Sequence, residues 1–148
     1  MSMRLDLENA LHEAMRQKDE TKRDTIRLVL SAIKLADVDT GVPIDDKGIL
    51  AILQKEVKIR KETINELSGT NREDLVTKAR SEIKVLEKFL PAQIEDEALE
   101  NLVREAIEEV SAKSISEMGK VMGVLIPKLA GKATPDRISQ VVRKLLTQ

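Results

Sequence analysis

The residues best suited to chemistry lie together near the end of the chain, in Met118-Gly-Lys-Val-Met-Gly123-Val-Leu-Ile-Pro-Lys128-Leu-Ala-Gly131-Lys132-Ala. Three glycines and three lysines fall within 14 residues there, with apolar side chains between them. Lysines supply charge for phosphate oxygens, and glycines let a backbone approach another surface closely. The spacing of Gly119 and Gly123 suits the close-packed side of one helix, and Gly131 suits a turn before the next. Tight helix packing with solvated lysines would give the same pattern, so spacing alone leaves both readings open. The segment is not a P-loop, which needs Gly-Lys followed by Ser or Thr after a buried strand.

Other candidates are weaker. Arg16, Lys18, Lys22, Arg23, Arg27 and Lys34 form a second basic group, but Asp19, Glu20 and Asp24 dilute it, as on a solvated helix face. Lys55, Lys58, Arg60 and Lys61 alternate with Glu56 and Glu62 in the same way. His12 adjoins an apolar stripe and reads as an ordinary, partly exposed histidine. The pairs Asp37/Asp39 and Asp45/Asp46 mark loops and caps in a chain with 26 acids, and the stretch from Asp37 lacks the spacing of a calcium loop. No nucleophile stands with a base and an orienting partner. The expectation is no catalytic residue, no metal and no cofactor.

Composition narrows the classes further. The 148 residues include one His, one Phe and no Cys, Trp or Tyr. That excludes disulfides, thiolate chemistry, cysteine-bound zinc and the aromatic platforms on which many RNA-binding modules stack bases. No uncharged apolar run approaches the roughly 20 residues of a membrane span. The first residues carry acids where a signal peptide needs an apolar stretch. A cytoplasmic protein without a membrane partner is expected.

The elements that must position the glycine–lysine segment are helices. Apolar residues recur at i, i+3, i+4, i+7 in Leu7, Leu11 and Ala14 or Met15, and again in Ile26, Val29, Leu30 and Ile33. The pattern continues through Ile49–Leu67, Leu75 or Val76 to Leu90, Leu99–Val110 and Ile138–Leu145, with no period-2 strand. Thr70-Asn-Arg-Glu73 and Ser114-Ile-Ser-Glu117 read as capping boxes. Thr134-Pro135 places a capping hydroxyl before a proline at the first helical position. Asp45 should cap the third helix after an Asp39–Pro43 loop, and Pro91 should stop the fourth.

This predicts an all-α protein with a four-helix amino-terminal domain, residues 1–93, and a small three-helix carboxy-terminal domain, residues 94–148. Charge changes along the chain in step. Residues 1–94 carry 17 basic and 17 acidic side chains. Residues 95–112 set Arg104 against seven acids, a net of −6, whereas residues 113–148 set seven basic residues against Glu117 and Asp136, a net of +5. A chain of net charge −1 thus ends in a basic patch.

The ordered motifs resemble those of the GatB/YqeY family, in its stand-alone YqeY-like form. The resemblance runs through Arg23-Asp-Thr-Ile-Arg-Leu-Val-Leu-Ser-Ala-Ile-Lys34, Leu53-Gln-Lys-Glu-Val-Lys-Ile-Arg-Lys-Glu62, Arg72-Glu-Asp-Leu75, Glu82-Ile83 and Phe89-Leu-Pro-Ala-Gln93. Its most specific part is Met118-Gly-Lys-Val-Met-Gly123 with Lys128 and Gly131-Lys-Ala133. The family shares its helical fold with the tail of the B subunit of glutamine-dependent aminoacyl-tRNA amidotransferases, a tail understood to touch the outer corner of the tRNA. The reaction centre lies in another domain of that subunit, which this chain lacks. The resemblance therefore implies tRNA binding rather than catalysis, and a carbon–nitrogen ligase activity with glutamine as amido-N-donor would belong to the full enzyme.

By the same resemblance, the motif glycines are Gly119, Gly123 and Gly131. The residues expected to meet tRNA are Lys120, Lys128 and Lys132, with Arg137, Arg143 and Lys144 on the following helix. The chain departs from the family at Thr134-Pro135, where Asp-Gly is usual, which gives the last helix a stiffer entry. Phe89 stands where Tyr is usual, keeping the packing without the hydroxyl. Two other readings compete: an accessory subunit acting in tRNA amidation with amidotransferase partners, and a protein-interaction module. In the last, acids of residues 95–112 pack against the basic tail and neutralise it.

Overall fold

Among the described residues, seven α-helices make up the architecture: α1 Met3–Arg16, α2 Glu20–Thr40, α3 Asp46–Leu67, α4 Glu73–Glu87, α5 Asp96–Glu109, α6 Met118–Lys128 and α7 Pro135–Leu146. The computed structural model describes residues 2–147, and among these there is no strand, so the class is all-α as the helical periodicity predicts. The chain divides into two units, residues 1–91 with α1–α4 and residues 92–148 with α5–α7.

In the first unit, polar caps set where helices begin. Ser2, Asp19 and Asp45 each accept a hydrogen bond from the amide three residues on, at Leu5, Lys22 and Gly48. Each supplies an acceptor that the first helical turn lacks. Lys18 takes a left-handed conformation between α1 and α2 (φ 57°), and the Asp19 amide reaches back to the Ala14 carbonyl. Gly41 ends α2 with φ 78°, so the loop expected from Asp39 starts two residues later. The core gathers Leu7, Ile26, Val29, Ile33, Ile49, Leu53, Val57, Ile83 and Leu86 from all four helices. Ala14 and Val76 are the buried choices over Met15 and Leu75.

Two ion-pair groups lock this unit. Arg4 forks onto the Asp37 carboxylate at 2.8 and 3.0 Å, and the same carboxylate accepts the Ile44 amide at 2.8 Å. One acid thereby ties the start of α1 to the end of α2 and the following loop. These bonds, Arg4 first and Ile44 next, hold the Asp37 carboxyl below the usual carboxylate range. Buried Arg60 meets Glu56 at 2.9 Å and Glu82 at 3.3 Å, joining α3 to α4. Lys55–Glu62 is therefore more than an alternating surface.

Three local expectations are corrected. Thr70 does not cap α4: its hydroxyl donates to the Leu67 carbonyl, closing the turn after α3, and Arg72 precedes α4 without a side-chain cap. Ser114 pairs with the Ser116 hydroxyl instead of capping, because a 3-10 turn, Ile115–Glu117, intervenes before α6. Glu117 accepts the Lys113 amide, one residue before the position the box predicts. Finally, α4 stops at Glu87, and turn hydrogen bonds from Phe89 and Leu90 lead to Pro91.

The second unit is built around Leu99, Val103, Ala106, Ala112, Val121, Leu125, Leu129, Ala133, Ile138 and Val142. Thr134 caps α7 by accepting the Arg137 amide at 3.2 Å, with Pro135 in the first turn, as expected. Gly131 has φ 77° and is buried, a conformation that costs other residues a steric clash. The turn it makes is tied down by the segment before α5: Gln93 donates to the Gly131 carbonyl and the Ile94 amide to the Lys132 carbonyl, each at 2.9 Å.

Candidate nucleic-acid interface

The register of α6 decides what its glycines do. Val121 and Leu125 are fully buried, and Met118 and Met122 pack beside them. At 100° per residue this turns Gly119, Gly123 and Pro127 to the opposite side, and all three are exposed. A Cβ added to Gly119 or Gly123 would have nothing within 4 Å. The close-packing expectation for this pair is therefore overturned: their bare backbone faces open space.

Exposed helical glycines are costly. Each is about 1 kcal/mol less favourable than Ala, and here no packing offsets the loss. Pro127 adds to the exposed backbone. It has no N–H to offer the Gly123 carbonyl one turn earlier. Pro127 and its exposed neighbour Ile126 belong to this face, although the sequence reading did not single them out. The available signal was a proline four residues after a glycine inside a helical segment.

Lysines border the smooth row. Lys120, Val124 and Lys128 form the adjacent i, i+4, i+8 row, with the two lysines about 12 Å apart along the axis. Lys132 is exposed in the turn that follows. None of these three, nor Arg143 on α7, makes an ion pair among the described residues. Arg137 and Lys144 are engaged elsewhere. Arg137 binds Asp96 at 2.6 Å and Lys144 binds Glu100 at 3.0 Å, both from α7 to α5. Two of the six basic positions thus pair with the acidic segment, and four keep their charge unpaired.

The remaining chemistry is sparse. Among the described residues no group of three His, Cys, Asp or Glu side chains is placed to hold a metal ion. His12 is exposed. No described helix is long and apolar enough to cross a membrane. What this unit presents is a strip of bare backbone flanked by unpaired cations, suited to an anionic surface that approaches closely.

Comparison with known proteins accords with the motifs. A family model described as Yqey-like protein matches residues 4–146. The chain belongs to this family. A protein of Saccharomyces cerevisiae, altered inheritance of mitochondria protein 41, mitochondrial, is 30% identical over 123 residues, covering 79% of this chain and 66% of the relative. Its namesake in Vanderwaltozyma polyspora is 36% identical over 87 residues, 58% of this chain and 47% of the relative. The namesake in Lachancea thermotolerans is 35% identical over 86 residues, 57% and 46% of the two chains. The matched region thus spans between about half and just under two thirds of these relatives' length.

Proposed function

We propose that this chain is a non-catalytic module that binds tRNA through phosphate and shape contacts, with α6 as the contact helix. The observation that carries the proposal is the open face of α6, where Gly119 and Gly123 give up helix stability and gain no packing. A sugar–phosphate backbone can lie against that strip while Lys120 and Lys128 reach its phosphates. Lys132 and Arg143 supply further charge, whereas Arg137 and Lys144 serve mainly to hold α7 on α5. With no Trp or Tyr, readout rests on phosphates and shape rather than stacked bases. A cytoplasmic site of action is part of the proposal. The yeast relatives carry a mitochondrial designation, and tRNA is present in both compartments.

Fluorescence anisotropy with total tRNA at several salt concentrations tests this. Contacts from three lysines should give log affinity against log salt a slope of about −2 to −3. Absence of binding at low salt would contradict the proposal. The partly neutralised basic tail favours a protein partner as the second reading, and salt-insensitive association with an amidotransferase subunit or another protein would support it.

A further inference from the structure

An uncovered apolar stripe lies on α2, in the first unit. Leu28 and Leu35 are 50% and 63% exposed and stand seven residues apart; Val38, three residues after Leu35, is 74% exposed. The buried residues of α2 are Thr25, Ile26, Val29 and Ile33, on its opposite side. This helix therefore has two apolar faces, and its own unit covers one of them. From Leu28 to Val38 the outer face has heptad spacing, with Leu28 and Leu35 at one seam position and Ser31 and Val38 at the other.

We propose that α2 forms the seam of a parallel homodimer. Charge complementarity selects this occupant. Lys34 immediately precedes a seam residue on one flank, and Asp39 immediately follows one on the other. Neither has an ion-pair partner among the described residues. In a parallel pair of α2 helices, Lys34 of each copy faces Asp39 of the other, giving two symmetric ion pairs. An antiparallel pair would instead bring Arg27 and Lys34 of both copies onto one flank, setting like charges together. Asp24, one turn before Leu28, already pairs with Arg23 at 2.9 Å. The partner that satisfies both the apolar seam and its flanks is a second copy of this chain.

Sedimentation velocity of the full chain from micromolar to submillimolar concentration tests the proposal. The expected result is reversible association to twice the chain mass. Leu35→Glu, at an exposed position, should keep its far-ultraviolet circular dichroism and weaken association at least about 100-fold, because two leucines leave the seam. Lys34→Glu and Asp39→Lys should each weaken it several-fold, and the double variant should recover wild-type association. The chain has no cysteine, so Ser31→Cys gives a clean test of direction: oxidation should link the two copies through position 31 in a parallel pair. A chain that stays monomeric at every concentration would overturn the proposal and leave the stripe to a foreign helix. A dimer indifferent to Leu35→Glu, or one in which Ser31→Cys does not cross-link, would also overturn it.

Discussion

The two units use basic side chains differently. In the first, Arg4 and Arg60 are drawn into multidentate contacts with Asp37, Glu56 and Glu82, and each joins two helices. In the second, α7 follows the same practice through Arg137 and Lys144, but α6 and the turn after it leave Lys120, Lys128 and Lys132 unpaired. The glycines divide in parallel. Gly131 is buried in a turn that requires its left-handed backbone, whereas Gly119 and Gly123 occupy ordinary helical positions in the open. Cations and glycines with a structural reason therefore stand beside others that lack one, and the second kind is concentrated on α6.

The largest effect should come from breaking a structural cation. Arg60→Ala leaves Glu56 and Glu82 facing each other without a counter-charge in a largely buried site, and should cost about 3 kcal/mol or more of stability in denaturant unfolding. A loss below about 1 kcal/mol would show that this network is no more than a surface feature.

The contrast on the second unit comes next. Replacing Lys120, Lys128 and Lys132 together by Ala should leave the unfolding midpoint nearly unchanged. It should weaken tRNA binding at least tenfold at low salt and flatten the salt slope by about 2 to 3. Arg137→Ala with Lys144→Ala should do the reverse, lowering the midpoint while leaving most of the affinity. Equal losses of binding in the two variants would erase the distinction between α6 and α7.

How much of this was legible beforehand depends on range. Helix positions followed from apolar periodicity, and Asp45, Thr134 and Gly131 followed from local cap and turn chemistry. Thr70 misled because α4 starts only at Glu73, after Arg72; the Thr70 hydroxyl sits in the preceding turn, donating to the Leu67 carbonyl and accepting the Arg72 amide. Glycines four apart look alike whether packed or bare. Only the register against Met118, Val121, Met122 and Leu125 separates the two, and that register was present in the sequence. The pairs Arg137–Asp96 and Lys144–Glu100 span 41 and 44 residues, so blocks of charge could suggest such pairing but not which partners meet.

A smaller effect separates Asp37 from an exposed acid. Its carboxyl is held below the usual range by Arg4 and the Ile44 amide, so its contribution is complete above the ordinary aspartate pKa of about 3.9. That contribution is lost as pH falls through the lowered value. Asp37→Asn should therefore melt a few degrees below wild type at neutral pH, and the gap should narrow as the solution is acidified below about pH 4. A gap independent of pH would mean that the carboxylate charge is irrelevant to the clamp.

The most direct test of the central claim uses the smallest change in atoms, two methyl groups. In Gly119→Ala with Gly123→Ala, each added Cβ points into open space. Each should stabilise the chain by about 0.5–1 kcal/mol through helix propensity. If the strip exists so that a nucleic-acid backbone can approach it, the same variant should bind tRNA at least several-fold more weakly while unfolding at higher denaturant. Unchanged tRNA affinity in the stabilised protein would contradict the assignment of α6 as the contact surface.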